Sequence, residues 1–122
     1  MLELPPITHP RVSEFINQER TKLFELIDAF GAALHIVFPE MVEKNIERYR
    51  LVFNEKSIDG TIRYAMKANK SEAALEAVAK QGIGVDASSL YELRQALSHG
   101  IIGHDIGISG PMKDPRLLLL AI

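Results

Sequence analysis

The sequence predicts an α/β fold with parallel strands, and three observations carry that prediction. From Thr61 onward, short β-forming runs alternate with amphipathic runs at near-constant spacing. Each amphipathic run opens on a capping residue, Ser71, Ser89 or Asp114. The first two of these runs stop at glycines, Gly82 and Gly100. Strands joined by helices in this rhythm pair in parallel through right-handed crossovers.

The elements follow in order. From Pro10 to Phe30, apolar residues recur at Val12, Phe15, Ile16, Leu23, Leu26, Ile27 and Phe30, one face of a helix that Gly31 ends. "ALHIVF" (33–38) is rich in β-formers and predicts a short strand. Met41, Val42, Ile46, Tyr49, Val52 and Phe53 mark a second amphipathic helix, closed by the turn-like "NEKSIDG" (54–60). "TIRYAMKA" then reads as the first strand of the repeating part, followed by a helix with Leu75 and Val78. "GVDAS" (84–88) is the second strand. "SLYE" (89–92) has capping-box spacing and opens a helix carrying Leu90, Leu93, Ala96 and Leu97. "DIGISG" (105–110) is the third strand, and Asp114-Pro115 starts a third helix. A barrel and a doubly wound sheet both begin this way. No glycine-rich phosphate fingerprint follows the first strand, since "KANKSE" has no glycine, which argues against a dinucleotide site.

Bulk properties narrow the function. The chain has 122 residues, 47% of them hydrophobic and 25% charged, an ordinary globular balance for one core. A formal charge of −2 gives no basic footprint for nucleic acid and no polybasic membrane patch. With no cysteine there is neither a disulfide framework nor a thiolate metal site, which suits a cytoplasmic protein. "MLELPPITHP" lacks the features of a signal peptide, and no apolar run approaches the roughly 20 residues of a membrane span. The closing "LLLLAI" has no cap, and we read it as a sign that the chain is the front of a longer protein.

"RYAMKANK" holds the chemistry. In parallel α/β folds, reacting groups sit where strands end and loops begin. Lys67 stands at that tip of the first strand, Asp86 near the second tip and Ser109 near the third. Neighbouring parallel strands lie roughly 4.8 Å apart, so these side chains can converge. A partly desolvated lysine offers a free amine that adds to an aldehyde, and a nearby carboxylate can orient it. The bland alternative makes Lys67 a solvated strand end and Asp86 a turn residue, and spacing alone favours it. The other polar residues are weaker candidates. His9, His35, His99 and His104 show no metal-ligand spacing, and His99 suits a helix C-terminus. Ser88 and Ser89 suit helix capping, Lys70 and Lys80 suit solvent, and Lys113 has no evident partner.

The run 63–101 resembles the start of the barrel in fold-type III pyridoxal-phosphate enzymes, and above all the diaminopimelate/ornithine/arginine decarboxylases. Their pattern of Tyr-Ala-x-Lys-Ala-Asn, then Asp-x-Ala-Ser and Glu-Leu, is met by Tyr64, Ala65, Lys67, Ala68, Asn69, Asp86, Ala87, Ser88, Glu92 and Leu93. "ISGPMKDPRLLLLAI" and "FGAALHIVFPEMVEKNIERY" are similar to flanking parts of the same group, so the likeness covers about residues 23–122.

The resemblance implies the N-terminal portion of a (β/α)8 barrel: about three βα units over 61–122, preceded by a lead-in over 1–60 of two helices and a short strand. It implies pyridoxal 5′-phosphate as cofactor and Lys67 as the residue of the internal aldimine. Asp86 would be its polar partner and Ala65 a small site beside the ring, while Tyr64 could equally be packing. It implies a decarboxylase acting on a small amino acid, diaminopimelate before ornithine, and a homo-oligomer, a dimer in the full-length family. The family's remaining cofactor residues would lie beyond the third strand, so the chain alone should be inactive. Family members often have proline where this chain has Lys70, which puts the substrate subgroup in question. Two rivals stand beside this reading. A racemase or cofactor carrier of the same fold type is disfavoured by "KSEA" after the Lys-Ala-Asn. A non-catalytic barrel fragment would self-associate through exposed apolar surface.

Overall fold

The computed structural model describes residues 8–31, 33–111 and 114–122. The chain divides into two compact units, Met1–Ile36 and Val37–Ile122.

The first unit contains α1 (Pro10–Gln18) and α2 (Arg20–Phe30). The sequence pattern predicts one helix over this span, and the structure breaks it at Glu19 (φ −108°, ψ 26°). The break falls in the polar run 17–22, where the apolar stripe lapses between Ile16 and Leu23. Neither helix has a buried residue, so no packing enforces a single straight rod. Gly31 ends α2 as expected, at φ +96°, with its N–H on the Ile27 carbonyl at 2.8 Å. The expected strand at 33–38 is absent: residues 33–38 adopt no regular structure. β-propensity expresses itself only against a neighbouring strand, and the described sheet offers this segment none. Among the described residues, three helices and no strand therefore precede the sheet.

The second unit opens with α3 (Pro39–Glu55), which starts on proline and buries Ile46. A three-stranded parallel sheet follows in the order β1 (Arg63–Ala65), β2 (Gly84–Ala87), β3 (Ile106–Ile108). The crossovers are α4 (Glu72–Lys80) and α5 (Leu90–Ser98), and α6 (Pro115–Ala121) comes after β3. The predicted caps are in place. The hydroxyl of Ser71 accepts the Ala74 N–H, that of Ser89 the Glu92 N–H, and the Asp114 carboxylate the Arg116 N–H.

Strand alternation sorts the sheet's two faces. Tyr64, Val85, Ala87, Ile106 and Ile108 point to the helices, where Val85, Ala87, Leu75, Val78, Met66 and Ala96 are fully buried. The opposite face carries Arg63, Ala65, Gly84, Asp86 and Gly107. There Arg63 reaches over the two glycines, and its guanidinium donates to the His104 carbonyl at 2.9 Å.

β1 is shorter than "TIRYAMKA" suggests. After Ala65 the chain tightens into one helical turn, Met66–Ala68. Met66 is fully buried, and that apolar anchor turns the backbone inward at the point where the ladder ends. Lys67 is left outside.

Candidate active site

The site lies at the carboxyl ends of the three strands. Register sets Ala65 opposite Asp86 and Asp86 opposite Gly107, all three on the face away from the helices. Ser109 extends the ladder by one bond, its N–H donating to the Ala87 carbonyl at 3.0 Å. Its hydroxyl donates to Asp86 Oδ2 at 2.6 Å. Two of the three expected tip residues thus converge. Gly107 keeps the floor beside them low: a Cβ there would come within 3.4 Å of Asp86 Oδ1.

Lys67 stands at the same end, in the Met66–Ala68 turn. It is exposed rather than half-buried, and it makes no hydrogen bond or ion pair with any described residue. The turn around it, in contrast, is fastened. Tyr64 is half-buried and its hydroxyl donates to the Asn69 carbonyl at 3.0 Å. Burial pushes the Tyr64 phenol above its ordinary pKa, so it stays a donor across the neutral range. The Asn69 side chain accepts the Ser71 N–H at 2.9 Å, leading directly into α4.

The sequence reading missed one residue. Glu92 has capping-box spacing, and only half of the box forms: Ser89 caps, but the Glu92 carboxylate does not return to Ser89. It is 1% exposed. Its Oε2 accepts the Ser88 N–H at 2.6 Å and the Ser88 hydroxyl at 2.9 Å. Lys70 Nζ lies 2.8 Å from Oε1 as a contact ion pair, so charge rather than an aligned hydrogen bond satisfies that oxygen. Burial alone pushes the Glu92 carboxyl up. The Lys70 ammonium and the two Ser88 donors more than reverse this and hold its pKa below the ordinary value. Lys70 is therefore paired where solvent was expected. Lys80 keeps a 73% exposed side chain, 3.2 Å from Glu43. His99 Nδ1 meets the Gln95 carbonyl at 2.8 Å on the last turn of α5, as its position suggested. His9 caps α1 by accepting the Arg11 N–H. Lys113 lies outside the described residues.

Several clefts border the sheet, among them one of 240 Å³ beside Ile106 and Ile108 of β3. One of 300 Å³ follows β1 and includes Val42, Ile46, Tyr49, Tyr64, Ala65 and Ala68. A larger one of 460 Å³, with Gly60, Thr61, Gly84 and Asp105, lies at the opposite, amino-terminal ends of the strands. The 300 Å³ cleft runs along the edge strand β1 against α3, and none of these clefts includes Lys67, Asp86 or Ser109.

The carboxyl edge of this parallel sheet carries an amine, a carboxylate and a hydroxyl, at the end where α/β proteins place their reacting groups. The chain belongs to the pyridoxal-dependent decarboxylase family: residues 40–122 match the model of that family's pyridoxal-binding domain. The uncharacterised protein y4yA of Sinorhizobium fredii is 34% identical over 110 residues, covering 90% of this chain and 24% of its own length. A diaminopimelate decarboxylase of Zymomonas mobilis is 30% identical over 85% of this chain and 25% of its own. Another, of Deinococcus radiodurans, is 32% identical over 80% of this chain and 25% of its own. The chain spans about a quarter of the length of these curated relatives. No solved structure matches it significantly. Among the described residues no helix is long and apolar enough to cross a membrane.

The residues fit one end of the family's cofactor. Lys67 offers an unengaged amine for an aldehyde, and Asp86 with Ser109 offers a polar edge. Ala65 is a small residue in register with Asp86, while the Arg63 side chain already lies over Gly107, 3.3 Å from where a Cβ there would sit. The N-termini of α4 and α5 are already closed by their own serines.

Proposed function

We propose that this chain is the cofactor-anchoring part of a (β/α)8 barrel in a pyridoxal-phosphate-dependent amino-acid decarboxylase of the diaminopimelate type. Residues 61–122 supply its first three βα units and residues 1–60 lead into them. The reading rests on one observation above all: Lys67 follows the carboxyl end of a strand whose neighbour presents Asp86, already oriented by Ser109, at the same end of the sheet. When bound, pyridoxal phosphate supplies the electron sink that accepts the charge left as a substrate carboxylate departs as CO₂.

The chain's own residues have separate tasks. Lys67 Nζ would hold the aldehyde end of the cofactor, its amine condensing there with loss of water. Its exposure lets both cofactor and substrate reach it. Asp86 Oδ2 is committed to the Ser109 hydroxyl, which leaves Oδ1 to accept a proton or hydrogen bond from Lys67 Nζ. Ala65, small and in register with Asp86, would border the cofactor.

In the full-length protein, CO₂ release should be fastest with diaminopimelate, against lysine, ornithine and arginine, and absent from Lys67→Ala. Undiminished release by Lys67→Ala would overturn the assignment. Preference for ornithine or arginine would move the protein to another substrate subgroup.

A further inference from the structure

Glu92 is the buried charged side chain among the described residues, and none of the tasks above uses it. Its partners explain its position. Ser88 lies two residues past Asp86, and Lys70 lies three residues past Lys67. We propose that Lys70 and Glu92 are positioning residues, a strut rooted in the first turn of α5 that sets the separation between the Lys67 turn and the strand end carrying Asp86. This inference rests on the reading of Lys67 as the cofactor's lysine.

The geometry supports a strut over an incidental surface pair. Strand pairing between β1 and β2 ends at Ala65 and Asp86, so no ladder bond fixes the chain beyond that point. The Lys67 turn and the Asp86 strand end are then tied through α5. Glu92 holds Ser88 by two hydrogen bonds and Lys70 by charge. One turn on, Gln95 Nε2 donates to the Lys70 carbonyl at 3.4 Å. On the strand side, the Tyr64 hydroxyl holds the Asn69 carbonyl. Segment 66–71 is thus anchored after Lys67 by two neighbours, while Lys67 itself stays unengaged. Such an arrangement carries a mobile amine on a fixed base. A buried carboxylate is costly unless paired, so the Glu92 carboxylate favours conformations that keep the Lys70 ammonium beside it.

The test compares Lys70→Ala, Lys70→Arg and the neutral pair Lys70→Gln with Glu92→Gln in the full-length protein. Lys80→Ala, which breaks the exposed pair with Glu43, is the control. Amide hydrogen exchange is read without cofactor over residues 66–71 and 88–89. The rate of pyridoxal 5′-phosphate uptake is read by absorbance. Lys70→Ala should speed exchange in both segments and slow uptake about 10-fold, the scale on which misplacing a reacting group acts. Lys70→Arg should restore both, and Lys80→Ala should change neither. If Lys70→Ala leaves Glu92 too exposed to fold around, the neutral pair keeps Ser88 bonded and still lacks the ionic tie, so it should show the same faster exchange. Parental exchange and uptake in the folded variants would overturn the strut. A wrong choice of cofactor lysine shows separately: Lys67→Ala would then take up cofactor at the parental rate whatever the exchange data say.

Discussion

Glu92 shows how one side chain can be both a stability element and a pH sensor. Its carboxylate is buried against Ser88 and Lys70, and its pKa is held below the ordinary value of 4.5. A carboxyl group depressed in the folded state contributes stability that is present above its unfolded value. That stability is lost as the pH falls through the folded value. The protein should therefore weaken as the pH drops below about 4.5, and Glu92→Gln should flatten that part of the curve. Denaturant melts across acidic pH check this, and a variant as steep as the parent would contradict it. Glu92→Ala removes the acceptor of the two Ser88 donors and leaves the half-exposed Lys70 ammonium to solvent. It should cost about 2–4 kcal/mol at neutral pH. The Lys70 partner was invisible in the sequence because α4 and β2 separate it from Glu92, whereas the spacing of Ser89 and Glu92 was visible and read only as a capping box.

At the scale of elements, what the sequence made legible was local. Ser71, Ser89 and Asp114 cap the helices they were expected to cap, because a cap depends on residues within one turn. Gly31 and Gly100 stop helices at φ +96° and +76° for the same reason. What failed depended on partners elsewhere. The strand expected at 33–38 lacks a neighbour, and β1 ends early because Met66 is drawn into the core. The sheet's open face is set by glycine at positions that only register reveals. A Cβ at Gly84 would collide with the Asp105 carbonyl, a backbone atom that cannot swing aside as the nearby Arg63 side chain can. Gly84→Ala should cost about 1–3 kcal/mol, read as a lower denaturation midpoint with an unchanged slope. An unchanged midpoint would mean that β2 and β3 adjust more freely than their register implies.

For the whole molecule, the family match over residues 40–122 falls on the part that forms a three-stranded parallel sheet with helices packed on one face. Asp86 and Ser109 meet as neighbouring strand tips should, and Lys67 arrives by a turn rather than by the strand itself. The convergence was legible from the near-constant strand–helix rhythm. The exposure of Lys67 was not, because it follows from the burial of Met66 next to it. The account as a whole depends on the chemistry of that amine. The most direct measurement is to incubate the full-length protein with pyridoxal 5′-phosphate, reduce with borohydride, and map the modified peptide by mass spectrometry. The account predicts a phosphopyridoxyl group on Lys67, with Lys70 and Lys80 unmodified. A label elsewhere, or labelling that persists unchanged in Lys67→Ala, would contradict it.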